Sequence, residues 1–210
     1  MTWRGLQPAA SALAGVQIRM TIYCATTNSG KLREFRLAAP DFDIQTITGI
    51  DAPEETGATF EANAILKATH YGAHTPGYLF ADDSGLEVDA LSGAPGVHSA
   101  RFAGPDATDA DNNALLLERL QGVENRTARF VCVIALVHNG ALVQTFRDTV
   151  EGHIIDAPRG MGGFGYDPLF YVPFLAQTFG DAPIERKMKL SHRGQALAKM
   201  FAYLRNTVSR

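Results

Sequence analysis

Met20-Thr21-Ile22-Tyr23-Cys24-Ala25-Thr26 runs directly into Thr27-Asn28-Ser29-Gly30-Lys31, and this junction sets the fold class. The first seven residues are short, apolar and β-prone, and the polar stretch breaks them. From about Lys31 the apolar residues Leu32, Phe35 and Ala38 recur at helical spacing until Pro40 ends the pattern. Strand, polar loop and helix in that order are the unit of an α/β domain. Residues 42–47 then alternate as a second strand, and Thr59 is a good N-cap for a helix through Phe60, Ile65 and Ala68. Residues 78–81 predict a third strand, followed by a glycine- and proline-rich loop over 92–105. A helix is expected over 109–120, with Leu115, Leu116 and Leu120 as its apolar stripe. Residues 128–137 and 141–151 flank His138-Asn139-Gly140, and Asn-Gly between β-rich runs is a strong hairpin signal. The last helix starts at Ser191, its N-cap, and carries Leu197, Phe201, Leu204 and Val208 on one stripe. Crossover helices beside an antiparallel hairpin predict a mixed twisted sheet with flanking helices.

With 210 residues, 46% of them hydrophobic, the chain can bury a proper core, and residues 20–210 are expected to form one domain. The net charge of −3 offers no global attraction for a nucleic-acid backbone. Cys24 and Cys132 each fall in a predicted strand without metal-ligand spacing, so they read as small buried hydrophobes of a reducing compartment. No apolar run approaches the roughly 20 residues needed to cross a bilayer. Residues 1–19 imitate a signal peptide weakly, with Arg4 ahead of an alanine-rich stretch. A strand beginning at Met20 argues instead for a loosely ordered extension, with Met20 a candidate translation start, on a cytoplasmic protein.

Five constellations could carry chemistry. Thr26, Thr27, Asn28, Ser29, Gly30 and Lys31 follow a strand and open a helix, so backbone N–H groups, the helix dipole and the Lys31 charge can receive a phosphate. The Walker A pattern is absent, because Ala25 and Leu32 stand where it needs Gly and Ser or Thr. Ala81-Asp82-Asp83-Ser84-Gly85-Leu86 places two carboxylates side by side at the expected end of a strand. Like charges that close repel unless a cation or a shared proton separates them, and a hard divalent ion such as Mg²⁺ answers that; a solvated turn is the plain alternative. Glu54-Glu55 precede the helix on which Asn63 and Lys67 share a face, and could complete a carboxylate cluster or merely complement the helix dipole. Gly163-Phe164-Gly165-Tyr166-Asp167-Pro168 frees Phe164 to stack on a flat base, with Asp167 an acceptor for ring N–H groups; an ordinary buried Phe competes with that reading. Lys187 with Ser191-His192-Arg193-Gly194 gathers donors at a helix start, suited to keto oxygens or phosphates.

Taken together and in this order, these segments resemble the inosine triphosphate pyrophosphatase family, the pyrophosphatases of non-canonical purine nucleoside triphosphates. Gly93-Ala94-Pro95-Gly96-Val97-His98-Ser99-Ala100-Arg101 adds a further matching stretch, and the similarity spans residues 20–205. The resemblance implies a two-lobed α/β fold with the nucleotide in the central cleft, a homodimer, and Mg²⁺-dependent hydrolysis of ITP, dITP and XTP to monophosphate and pyrophosphate. It implies phosphate contacts from residues 26–31 and a metal site from Glu55 and Asp83, with Asp82 a further candidate ligand. Asp83 would accept the proton and Ser84 touch substrate. Residues 164–167, Lys187, His192 and Arg193 would form the base pocket. Lys31 and Lys67 would neutralise the leaving pyrophosphate. A regulator that binds purine nucleotides without hydrolysis, or a pyrophosphatase of ordinary nucleotides, is the alternative. Thr27 departs from the glycine common in the family, and residues 173–187 look unusual.

Overall fold

The computed structural model describes residues 19–208, so the expectation for residues 1–18 lies outside it, as does the side chain of Val208. The strands are β1 (Thr21–Cys24), β2 (Asp43–Thr46), β3 (Tyr78–Val88), β4 (Thr127–His138), β5 (Ala141–Ile154), β6 (Phe170–Val172) and β7 (Gln177–Thr178). The helices are α1 (Ser29–Ala38), α2 (Phe60–Gly72), α3 (Asp109–Arg119), α4 (Ile184–Leu190) and α5 (His192–Val208). One seven-stranded sheet takes the order β2-β1-β3-β4-β5-β6-β7. Strand β1 runs parallel to β2 and β3, and every later pairing is antiparallel.

Local chemistry explains several element ends. Asn28 caps α1 by accepting the Lys31 N–H at 3.0 Å, and Thr59 caps α2 by accepting the Ala62 N–H at 3.1 Å. Ser191 does the same for α5 through the Gly194 N–H at 3.1 Å. The β4–β5 hairpin closes on Asn139 and Gly140, with φ of +50° and +79°, the backbone that a two-residue turn between twisted strands requires.

The third strand departs from expectation. Residues 82–88 continue β3 rather than turning into solvent, and β4 pairs with it along its whole length. Gly85 sits inside this strand because the segment 96–101 crosses close over it. A Cβ there would stand 2.5 Å from the Gly96 carbonyl oxygen. The Ser99 hydroxyl meanwhile accepts the Leu86 N–H at 2.9 Å. A glycine read as a breaker is a point of close approach. The residues expected as loop at 92–105 contain a 3₁₀ turn at Gly96–Arg101, and another at Asp89–Leu91 directly precedes them.

Three apolar clusters follow from the alternation of β3 and β4. Phe80, Ile134 and Leu136 face α1 and α5, joined by Phe35, Leu197, Phe201 and Leu204. Leu79, Ala81, Val133 and Val137 face α2 through Phe60, Ala64 and Ala68. At the far end of the same strands, Leu86, Phe130 and Val150 pack with α3 and with Tyr166, Phe170 and Phe179. The first two clusters make one lobe and the third makes the other, and residues 82–85 of β3 cross from one to the other. Both cysteines are buried and free, and burial pushes the Cys24 thiol up to about 12, which leaves it inert near neutral pH.

Candidate active site

Because side chains alternate along a strand, Asp82 and Asp83 leave β3 on opposite faces. Asp83 turns towards α2. Its Oδ1 receives Lys67 Nζ at 3.0 Å and its Oδ2 receives Asn63 Nδ2 at 3.2 Å. Lys67 Nζ also contacts Glu55 Oε1 at 2.8 Å, so one ammonium lies between the two carboxylates. Arg101 approaches Glu55 from the 96–101 turn at 3.7 Å. Asn63 further accepts the Gly57 N–H at 2.7 Å, tying the Glu55 loop to the helix that meets Asp83. Glu54 is exposed and stands apart.

Asp82 turns the other way, into a dry ion-pair network. Lys31 Nζ reaches it at 3.0 Å, Arg193 Nε at 3.3 Å and the Ser84 hydroxyl at 3.1 Å. Arg193 donates to Ser84 Oγ at 2.7 Å through Nη2 and to Glu34 through Nη1. Glu34 also receives Lys187 Nζ at 2.8 Å, and Lys187 pairs in turn with Asp167. Three acids (Glu34, Asp82, Asp167) thus balance three bases (Lys31, Lys187, Arg193). The adjacent aspartates are not one cluster but two: one open to the cleft, one tied into the wall.

Electrostatics separates them further. Burial opposes the Asp82 charge, yet Lys31, Arg193 and Lys67 hold its carboxyl well below the usual aspartate value. For Asp83 burial wins over the pull of Lys67, and the neighbouring Glu55 charge adds to it, so its pKa is raised. Burial also works against Lys67, but Asp83, Asp82 and Glu55 raise its pKa above the ordinary value.

The other end of the cleft is aromatic. The Phe164 ring lies 5.0 Å from Lys187 Nζ and 5.3 Å from the Arg193 guanidinium carbon, a cation–π arrangement. It also packs so closely on Gly30 of α1 that a Cβ there would meet its ring at 2.8 Å. His192 stacks on Phe130 at 4.8 Å with 12° between the planes, and its buried Nδ1 has no partner. Burial, then Arg193 and Lys187, push its pKa well down, so it is neutral at physiological pH.

One cleft is lined by Asn28, Lys31, Glu55, Lys67, Asp83, Ser84, Phe164, Gly165, Tyr166, Asp167, Lys187, His192 and Arg193. Thr26, Thr27 and Ser29 belong to the same β1–α1 junction but lie outside that lining, and Gly30 lines an adjacent hollow behind Phe164. Three residues expected at the base are occupied internally. Tyr166 donates its hydroxyl to the Ser99 carbonyl at 2.9 Å, Asp167 accepts the Phe164 N–H at 2.9 Å, and Arg193 donates to Asp82, Glu34 and Ser84. The unusual segment before Lys187 holds β7 and the short helix α4, which buries that lysine against Glu34. Glu34 was invisible as a site residue in the sequence. The available signal was its place three residues after Lys31, on the same helical face.

Glu55 and Asp83 fit a divalent cation, since both already reach a single cationic group, Lys67. Among the described residues no third acidic, His or Cys side chain joins them. Mg²⁺ commonly binds through one or two carboxylates and completes its shell with waters and substrate phosphates.

A model of the Ham1 family matches residues 22–203. A protein named dITP/XTP pyrophosphatase from Exiguobacterium sp. (strain ATCC BAA-1283 / AT1b) is 52% identical over 188 residues, spanning 87% of this chain and 96% of its own length. One of the same name from Acidobacterium capsulatum is 47% identical over 199 residues, spanning 88% and 98%. The solved HAM1 protein of Coxiella burnetii superposes with a TM-score of 0.81 at 42% identity, covering 89% of this chain and 99% of that one.

Proposed function

The chain belongs to the Ham1 family, and from that membership we propose that it hydrolyses non-canonical purine nucleoside triphosphates (ITP, dITP and XTP) to the monophosphate and pyrophosphate. The observation that carries this reading is one cleft with a carboxylate–lysine cluster at one end and an aromatic, cation-backed pocket at the other. Such a cleft accepts a triphosphate and a flat base together.

Asp83 orients the attacking water and accepts its proton as the new oxygen bond to the α-phosphorus forms and the α–β anhydride breaks. Its raised pKa makes it a better base than an ordinary aspartate. Lys31 and Lys67 offset charge developing on the departing pyrophosphate. Glu55 and Asp83 would hold Mg²⁺, which when bound supplies Lewis-acid neutralisation of the triphosphate. With both Asp82 oxygens committed to Lys31, Arg193 and Ser84, the metal role rests on Asp83 and Glu55.

Phe164 stacks on the purine, and the Lys187 ammonium and neutral His192 read its edge. A pocket that donates to the 6-keto oxygen leaves the amino group of adenine facing another donor, a mismatch that gives several orders of magnitude in selectivity against adenine. The enzyme works as a homodimer in the cytoplasm, clearing the nucleotide pool. Among the described residues no helix is long and apolar enough to cross a membrane.

Product analysis from ITP, XTP, dITP, GTP and ATP with Mg²⁺ tests the reading. Pyrophosphate from the first three, with little from the others, is expected. Orthophosphate as the product refutes attack at the α-phosphorus, and no product refutes the enzyme.

A further inference from the structure

Phe164 is presented to the cleft by a loop whose backbone is gripped from a neighbouring helix. The Gly165 N–H donates to Asp109 Oδ2 at 2.6 Å, and the Gly165 carbonyl accepts from Asn113 Nδ2 at 3.0 Å. Asp109 and Asn113 are four residues apart on α3 and so share a face. Together they take both polar groups of the single residue that follows Phe164, one with φ of +61°. The preceding N–H, that of Phe164, is held by Asp167.

The gripping turn is itself fixed. Thr108 and Asp111 form a reciprocal capping box at the start of α3. Asn112, between the two gripping residues, donates to the Ala100 carbonyl at 3.1 Å and accepts the Ala103 N–H at 2.9 Å. The loop that carries the aromatic ring is therefore anchored to a rigid helix start as well as by its own Asp167. Asp109 reaches the cleft wall, and neither gripping residue pairs with Glu55, Lys67, Asp83 or Lys31.

We propose that Asp109 and Asn113 are positioning residues for nucleobase recognition, setting the pose of Phe164 by holding the Gly165 peptide groups while leaving the phosphate end alone. The inference rests on the base-pocket reading above and adds two residues to it. The contribution is hydrogen bonding, not charge: Asp109 is needed as an acceptor and Asn113 as a donor. That distinction makes it testable. An asparagine at 109 still offers an amide oxygen to the Gly165 N–H, whereas an aspartate at 113 has nothing to donate to the Gly165 carbonyl.

The experiment uses the full chain and the variants Asp109→Ala, Asp109→Asn, Asn113→Ala, Asn113→Asp and Phe164→Ala. It measures KM and kcat for ITP, the inhibition constant of imidodiphosphate as a ligand without a base, and the thermal midpoint. Asp109→Ala, Asn113→Ala and Asn113→Asp should each raise the ITP KM about tenfold, the scale of one well-oriented hydrogen bond, with kcat changing far less. The imidodiphosphate constant should stay at the wild-type value, and Asp109→Asn should recover most of the ITP affinity. Asp109 is exposed, so its truncation leaves the core intact. The proposal is overturned by an unchanged KM, by parallel losses for ITP and imidodiphosphate, or by Asp109→Asn as poor as Asp109→Ala. If Phe164→Ala raises KM while the α3 variants do not, only this inference fails. If Phe164→Ala has no effect either, the base pocket itself is misplaced and the inference falls with it.

Discussion

Glu34→Gln removes one negative charge from the wall of the cleft while keeping the side-chain volume. Glu34 is 2% exposed and bridges Lys187 and Arg193, themselves 2% and 3% exposed. The neutral amide can accept from one cation but turns its NH₂ towards the other, so the three-against-three network is left with a surplus positive charge in dry surroundings. Breaking a buried pair from one side costs about 3–5 kcal/mol. Here Lys187 keeps Asp167, and Arg193 keeps Asp82 and Ser84. The lower end, about 3 kcal/mol at pH 7, is therefore expected. For a chain of this size that corresponds to a fall in thermal midpoint of about 6–12 °C. Burial opposes the Glu34 charge, but Arg193 and Lys187 lower its pKa below the ordinary 4.5. Its stabilisation is thus complete above the unfolded value and fades as the pH falls through the lower folded value. Urea unfolding of wild type and variant from pH 7 to pH 3 reads this directly: the gap should hold down to about pH 5 and then close. A gap below about 1 kcal/mol at pH 7, or one that ignores pH throughout, would refute the network argument.

Three further outcomes follow from the same geometry. Asp83→Asn should lower kcat by about 10²–10⁴-fold while calorimetric binding of a non-hydrolysable ITP analogue persists; unaltered turnover assigns the base elsewhere. Chelation should abolish activity and added Mg²⁺ restore it, with little change in thermal midpoint, because Glu55 and Asp83 stay paired with Lys67 in the metal-free protein. A large fall in midpoint on chelation would show instead that the ion holds the fold. Gly85→Ala drives a Cβ into the Gly96 carbonyl and should cost about 1–3 kcal/mol in urea unfolding; a neutral result would mean that the 96–101 turn yields easily.

The sequence by itself determined the elements whose causes are local. The α/β class, the Thr59 and Ser191 caps and the Asn139-Gly140 hairpin each depend on residues within a few positions of one another, and each stands as read. It also marked most cleft residues, because a phosphate loop, paired acids and a glycine-flanked aromatic are contiguous motifs. Tertiary structure alone decided what those motifs do to one another. Asp82 and Asp83 look like one site because they are neighbours, but strand alternation sends one to Lys31 and Arg193 and the other to Lys67. Gly85 looks like a break until the 96–101 turn is seen crossing over it. Glu34 and Arg193 are 159 positions apart, and Gly165 and Asp109 are 56 apart. Whether a carboxylate is solvated or is the counter-charge of a buried cation depends on which distant element covers it, and no short window of sequence contains that partner.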